Sequence, residues 1–183
     1  GTAIYEQRSC LLGKIGEQVA ASNLTIVDNP LLPRAMGSRP YDGDGFETTP
    51  RTIVENGVLN LYLLNLYNAR RLKRAPTMGG GSNICIEPSE LSPMDIIRDL
   101  PQCIVIEGFL GGNANPITGD FSYGITGRYF EKGEYVQGIS EMNISGNIIE
   151  VMKSFEVAAN DVWTYSSYRI PSLLFGNVQC SGV

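Results

Sequence analysis

The residues at 111–129, GGNANPITGDFSYGITGRY, constrain the fold more than any other part of the chain. Their first half is rich in residues that cap or turn the backbone, and their second half alternates aromatic and polar residues as a strand does. Gly124 and Gly127 interrupt that strand, as glycines do where a second backbone approaches closely. The alternation continues around a turn at 131–134, which predicts a long hairpin over 121–139.

Other local patterns place the remaining elements. The Asn56-Gly57 pair between apolar runs is the strongest short hairpin signal. Ser92-Pro93 followed by Asp95, and Asn147 followed by Glu150, are N-cap patterns that begin helices. The patterns predict hairpins over 15–28 and 53–59, a long loop over 36–50, helices over 61–74, 92–100 and 148–158, a flexible glycine-rich connector over 77–83, and strands over 83–87, 102–108 and 172–178.

Many strands and few helices predict an α+β fold. We expect a mostly antiparallel, barrel-like β-sheet with a few peripheral helices. The length of 183 residues suits one domain with its own apolar core.

The composition argues against several function classes. The chain contains no histidine, so the commonest general base and zinc ligand is missing. Its net charge is −5, and its one basic cluster, Arg70, Arg71, Lys73 and Arg74, is interpreted as a solvated helix end, so we expect no nucleic-acid partner. No apolar run reaches the about 18 residues of a membrane span. The four cysteines are far apart and three of them lie in apolar runs, which favours buried, reduced thiols and a cytoplasmic location.

The asparagine- and glycine-rich stretch is the candidate binding site. An open strand edge there would accept an extended peptide through backbone hydrogen bonds, and glycines on that edge would leave room for varied side chains. The alternative is a glycine-bulged hairpin without a ligand, which the residues by themselves favour. The predicted peptide-binding residues are Asn113, Asn115, Thr118, Gly119, Asp120, Ser122, Tyr123 and Gly124.

No catalytic or metal-binding residue is predicted. Asp120 and Ser122 suggest a hydrolase, but a nucleophilic serine needs a base, and neither Lys132 nor Lys153 lies in an apolar run that would desolvate it. Cys180 has no neighbouring base or strong positive field in the sequence. Glu131 and Glu134 lie across a tight turn and are expected to face solvent. A hydrolase that uses paired carboxylates on its own stays open as an alternative.

Several segments in a fixed order form a further pattern. In chain order they are RSCLLGKIGEQVAASNLTIVDNP, GSRPYDGDG, IVENGVL, NICIEPSELS, NPITGDFSYGITGRYFEKGE, ISGNIIEVM, AAND and IPSLLFGNVQCSG. The ordered set resembles the TldD/PmbA family, which is named for a proposed modulation of DNA gyrase and described as cytosolic zinc metallopeptidases that act on unstructured peptides. This chain has a net negative charge and offers no DNA-binding face, so its sequence does not support a direct action on DNA gyrase.

The resemblance distinguishes two kinds of subunit. In the TldD kind, two histidines and a cysteine near the C-terminus hold zinc. The family's histidine helix lies upstream of the matched region, so the cysteine is the firmer discriminator. Cys180 lies in a different context, NVQCSGV. The chain therefore resembles PmbA, also called TldE, the subunit that lacks the zinc motif.

This resemblance implies an organisation and a function. Residues 1–183 would be part of the C-terminal domain, and an N-terminal domain would be absent from this chain. The chain would hold no cofactor, whereas zinc is expected in a TldD-like partner with which it encloses a cavity for unfolded peptides. A bulky substitution at Gly124 would then lower peptide cleavage by the complex without affecting folding. The alternative is a non-catalytic homodimer that binds peptides or mediates assembly and has no peptidase role.

Overall fold

The computed structural model describes residues 1–176 and 178–182. Within these residues the chain forms three β-sheets and four short helices. The elements in chain order are α1 Thr2–Tyr5, β1 Ile26–Asp28, β2 Arg51–Glu55, β3 Val58–Leu59, α2 Leu66–Leu72, β4 Ile84–Ile86, α3 Pro93–Arg98, β5 Gln102–Ala114, β6 Asp120–Glu131, β7 Glu134–Asn147, α4 Ile148–Lys153, β8 Phe155–Ala158, β9 Tyr168–Arg169, β10 Leu173–Phe175 and β11 Gln179–Ser181.

The sheets are almost entirely antiparallel. Their strand orders are β3-β2-β1-β4-β9, β10-β8 and β11-β7-β6-β5, and the pair of β4 and β9 is parallel. The α+β, mostly antiparallel prediction is confirmed. Each sheet ends in edge strands within the described residues, so the sheets stay open and do not close into the barrel-like form that was also expected.

Two apolar clusters hold the elements together. The larger one joins the inner face of the five-stranded sheet to α1, α2 and the β8–β10 pair, with Leu24 and Ala69 completely buried. The smaller one lies on one face of the four-stranded sheet around Ile125, Ile139 and Ile144. None of the helices in the described part of the chain combines the length and the apolar character needed to cross a membrane.

Both tight hairpins form at the predicted turns. Asn56 and Gly57 join β2 to β3 with φ of 49° and 79°, and Lys132 and Gly133 join β6 to β7 with φ of 50° and 82°. Two consecutive positive φ values are the geometry of a type I′ turn, which matches the twist of the flanking strands. The β6–β7 hairpin is longer than predicted, since its strands span 120–147.

The predicted hairpin over 15–28 is wrong. Only Ile26–Asp28 is a strand, because the earlier residues bond to the β2–β3 hairpin instead of to their neighbours. Gly16 N donates to Leu59 O at 2.8 Å, and Val19 N donates to Gly57 O at 2.8 Å. Pairing with residues about 40 positions later in the chain has therefore replaced pairing within the segment.

Two predicted helices are shorter than expected. In the first, Asn65 caps α2 by accepting from Asn68 N, and the residues before it are extended, so the helix spans Leu66–Leu72. The second ends at Lys153, because the following residues form β8 and bury Phe155 against the core. Before α2 the extended residues alternate in burial, and after α4 the chain pairs with β10 and buries Phe155, so tertiary packing has overridden the helical pattern in both places.

The other predicted elements need few changes. The capping box of Ser92 and Asp95 begins α3 as predicted. The strand predicted over 83–87 forms as β4, and that over 102–108 continues to Ala114 as β5. The strand predicted over 172–178 appears as β10, although Asn177 lies outside the described residues. The segment 36–50 is a loop, as predicted.

The glycine-rich segment 77–83 is not the flexible connector that its composition suggests. The Arg51 guanidinium donates to Met78 O at 2.8 Å and to Gly80 O at 2.6 Å. Asp28, which is completely buried, pairs with Arg51 at 2.8 Å and accepts from Ser82 N at 2.8 Å. Buried charges therefore hold this segment against β1 and β2.

Candidate peptide-binding site

The turn between β5 and β6 is closed by its own polar residues. Asn115 N donates to Asp120 O at 2.8 Å, and Gly119 N donates to Asn115 O at 2.8 Å. The Asn115 side chain accepts from Ile117 N at 2.9 Å, and Thr118 Oγ1 accepts from Asp120 N at 3.3 Å. Side chains that bond their own backbone in this way favour turns over longer elements.

Asn147 joins this turn to α4. Its Nδ2 donates to Thr118 O at 2.8 Å and to Asp120 Oδ1 at 2.9 Å, while its Oδ1 accepts from Ile149 N at the start of the helix. The hydrogen bond from Asn147, followed by one involving Thr118, lowers the pKa of Asp120 below its ordinary value. Four of the predicted site residues, Asn115, Thr118, Gly119 and Asp120, therefore shape the turn.

The glycines of β6 do accommodate a second backbone, but it belongs to the same chain. A Cβ added to Gly124 would lie 3.0 Å from Leu110 O, and one added to Gly127 would lie 2.0 Å from Val105 O. Both oxygens belong to β5, which pairs with β6 along its length. A side chain at Gly124 would therefore contact β5 of the same chain, and β5 would have to shift slightly to make room for it.

The predicted open edge is not at Ser122, Tyr123 and Gly124. These residues lie on β6, whose two edges are bonded to β5 and β7. The free edge is that of β5, which pairs only with β6 in the described part of the chain. Of the eight predicted residues, only Asn113 lies on this edge strand.

Two residues that sequence reasoning missed flank the free edge. Phe109 is 63% exposed and Leu110 is 58% exposed, although both are large and apolar. The Phe109 ring packs edge-on against Tyr123 with centroids 5.6 Å apart. The signal available in the sequence was the apolar pair directly after the predicted strand over 102–108, just before two glycines.

The two faces of the sheet differ beside this edge. On one face Asn113 lies opposite Ser122, which in turn lies opposite Ser145 on β7. On the other face Tyr123 lies opposite Ile144, within the smaller apolar cluster. A polar row and an apolar row thus run across the sheet from β5.

A second edge is open on β7. β11 pairs only with 143–145 of β7, so among the residues described the edge of 134–142 that faces away from β6 has no strand beside it. Tyr135 is 58% exposed and packs edge-on against Phe130 with centroids 5.9 Å apart. This edge closely parallels the β5 edge in exposure and aromatic contact, and it serves as an internal comparison.

Comparison with known proteins identifies the family to which this chain belongs. A family model described as the PmbA/TldA metallopeptidase C-terminal domain matches residues 1–182. The chain belongs to the PmbA/TldD family. This confirms the resemblance that the ordered segments indicated.

Known PmbA/TldD relatives match the whole of this chain. The metalloprotease PmbA of Escherichia coli O157:H7 is 31% identical over 184 residues, which cover 100% of this chain and 41% of that protein. A crystal structure of a proposed modulator of DNA gyrase from Bacteroides thetaiotaomicron is 41% identical with a TM-score of 0.96, covering 100% of this chain and 42% of that one. The chain therefore spans about two fifths of the length of the curated relatives that it matches.

A third likeness concerns the fold alone. TldE from Thermococcus kodakarensis has a TM-score of 0.88 at 22% identity, covering 99% of this chain and 45% of that one. At that identity, the comparison establishes that the two chains share an architecture.

The donor set of this chain does not fit the zinc that the family name implies. The chain has no histidine, and among the described residues no three Cys, Asp or Glu side chains converge. Cys180 packs against the smaller apolar cluster, and burial raises the pKa of its thiol, which favours the protonated form over the thiolate that binds metal. In the loop 36–50, Asp42 Oδ1 accepts from Asp44 N and Phe46 N, each at 2.9 Å, so this carboxylate shapes the loop.

Proposed function

We propose that the full protein is a PmbA/TldE-like subunit of a cytoplasmic, two-component zinc peptidase that degrades or processes unfolded peptides. In this proposal, residues 1–183 form part of its C-terminal domain, and the free edge of β5 binds the peptide. The observation that carries the proposal is this edge, with the exposed Phe109 and Leu110 beside it. The metalloprotease names of the relatives support the reaction class.

An extended peptide would bind by continuing the sheet beyond β5. The backbone hydrogen bonds of such an added strand make no demand on peptide sequence, which suits a subunit that receives varied unfolded chains. Covering the exposed parts of Phe109 and Leu110 would contribute about 1–2 kcal/mol each. Asn113 and the neighbouring Ser122 would offer hydrogen bonds to peptide side chains on the polar face.

The division of labour is inferred from the C-terminal cysteine. Because Cys180 packs in the smaller apolar cluster and burial raises the pKa of its thiol, it does not fit the family's zinc-binding cysteine, and we assign the hydrolytic metal to a TldD-like partner. This subunit would supply the edge that orders the substrate, and it would cleave no peptide by itself.

Peptide hydrolysis tests the proposal directly. The full-length protein is mixed with an unstructured reporter peptide, alone and with a zinc-bearing TldD-like partner, each with and without a chelator. We expect chelator-sensitive cleavage only in the mixture. Cleavage by this protein alone would contradict the assignment, and peptide binding without turnover in every mixture would favour the homodimeric binding module.

A pair of matched variants tests the binding edge. Phe109→Ala removes an exposed aromatic ring from the β5 edge, and Tyr135→Ala removes a similarly exposed ring from the β7 edge. Each variant loses one edge-on aromatic contact, so the two should change stability similarly. We expect Phe109→Ala to raise the KM of the mixture several-fold and Tyr135→Ala to leave it unchanged. The reverse result would move the peptide to the β7 edge.

A further inference from the structure

Four cations crowd the C-terminal end of α2. Arg70 and Arg71 lie in its last turn, Lys73 is the C-cap with φ of 53°, and Arg74 follows directly. All four side chains belong to exposed residues. None of them forms an ion pair with a described carboxylate. We call these four residues the α2 basic cluster.

Aromatic rings hold part of the cluster in place. The Arg71 guanidinium lies 3.9 Å from the Tyr5 ring centroid and 5.3 Å from that of Tyr67, and it donates hydrogen bonds to both phenol oxygens. Arg74 lies 5.6 Å from the Tyr62 ring centroid. Side chains ordered in advance lose less conformational entropy when a ligand binds.

The cluster exceeds what the helix end requires. A helix C-terminus carries about half a negative charge, which one or two nearby cations satisfy. Four cations within five residues leave a clear excess of positive charge and repel one another. Water and dissolved ions solvate this excess, and a negatively charged group that reaches the surface would be attracted to it.

We propose that the α2 basic cluster docks a short acidic segment of another polypeptide. The rest of the chain repels a long polyanion, because the ten remaining cations face 19 carboxylates, a net charge of −9. A nucleic-acid duplex carries one charge per about 1.7 Å and would extend beyond the cluster along a chain whose remaining charge is negative. A run of a few aspartates or glutamates would need only the cluster itself. The site lies on α2, not on the β5 edge, and stands independently of the peptidase role.

Binding by the full-length protein tests this site. The probe is a fluorescein-labelled 12-residue peptide of Asp, Glu and Gly, followed by fluorescence anisotropy. The comparison probes are the same peptide with Asn and Gln in place of the acids, and an oligothymidylate of equal charge. We expect the acidic peptide to bind and the neutral peptide not to bind. We also expect the affinity for the acidic peptide to fall as the ionic strength rises from about 0.05 M to about 0.25 M, since the screening length then shortens from about 14 Å to about 6 Å. Absence of acidic-peptide binding, or equally tight binding of the oligothymidylate, would overturn the proposal.

Charge-reversal variants locate the site. Arg70→Glu with Lys73→Glu reverses two cluster charges that make no aromatic contact among the described residues. The control reverses Arg34 and Lys132, which are also exposed cations and change the net charge equally. We expect the first variant to weaken peptide binding about tenfold and the control less than twofold, with both variants retaining the wild-type circular dichroism spectrum. Equal weakening by both variants would mean that net charge, and not the cluster, attracts the peptide.

Discussion

The ion pair between Asp28 and Arg51 offers the sharpest test of how the glycine-rich segment is held. Asp28 is completely buried, and the Arg51 side chain is 8% exposed. Asp28 Oδ2 accepts from Arg51 Nε at 3.1 Å and from Nη2 at 2.8 Å, and Asp28 Oδ1 accepts from Ser82 N. Asp28→Asn keeps the size of the side chain and removes its charge. The variant therefore leaves a guanidinium inside the protein without its counter-charge.

The expected loss can be worked from these contacts. Removing one partner of a buried ion pair costs about 3–5 kcal/mol. Arg51 keeps its hydrogen bonds to Met78 O and Gly80 O, so we take the lower end, about 3 kcal/mol. With a urea slope of about 2 kcal/mol per molar, the unfolding midpoint of Asp28→Asn should fall by about 1.5 M.

Urea unfolding followed by far-UV circular dichroism measures this shift. The control is Glu150→Gln, which removes the charge of an exposed pair whose oxygen lies 3.1 Å from Lys153 Nζ. Exposed pairs contribute about 0–1 kcal/mol, so the control midpoint should move by less than about 0.5 M. If Asp28→Asn shifts the midpoint no more than the control, the buried pair does not hold the segment and the reasoning is refuted.

Three further predictions concern the four-stranded sheet. Asn147→Ala should raise the pKa of Asp120 toward its ordinary value in an NMR titration. Because folding lowers that pKa, the contribution of Asp120 to stability is present above the unfolded pKa of about 3.9 and is lost as the pH falls through the pKa of the folded state. An unchanged titration of Asp120 in the variant would contradict its hydrogen bond with Asn147. Cys180, whose thiol pKa is raised by burial, should react with iodoacetamide at neutral pH at least about tenfold more slowly than free cysteine, and an equal rate would place it outside the apolar cluster. Gly127→Ala places a Cβ 2.0 Å from Val105 O and should cost about 3 kcal/mol in urea unfolding, whereas an unchanged midpoint would show that β5 moves freely.

The candidate site was only partly predictable from the residues. All eight predicted residues lie on one hairpin, because the turn and strand signals at 113–124 are local. The unpaired edge belongs to β5, however, and Phe109 and Leu110 beside it were not predicted. Which edge of a strand stays open depends on every other strand of the sheet, and no local pattern contains that information.

Local chemistry determined the turns and caps of this protein. Asn56-Gly57 reaches positive φ at low cost, and Ser92 with Asp95 satisfies the first amides of α3, so these features follow from a few adjacent residues. Tertiary structure decided which distant segments pair with one another. Residues before β1 bond to β3 although they resemble a hairpin, and a buried aspartate turns 77–83 into a fixed segment. Burial and backbone pairing depend on residues far apart in the chain, and their free energy exceeds the weak local preferences that a sequence displays.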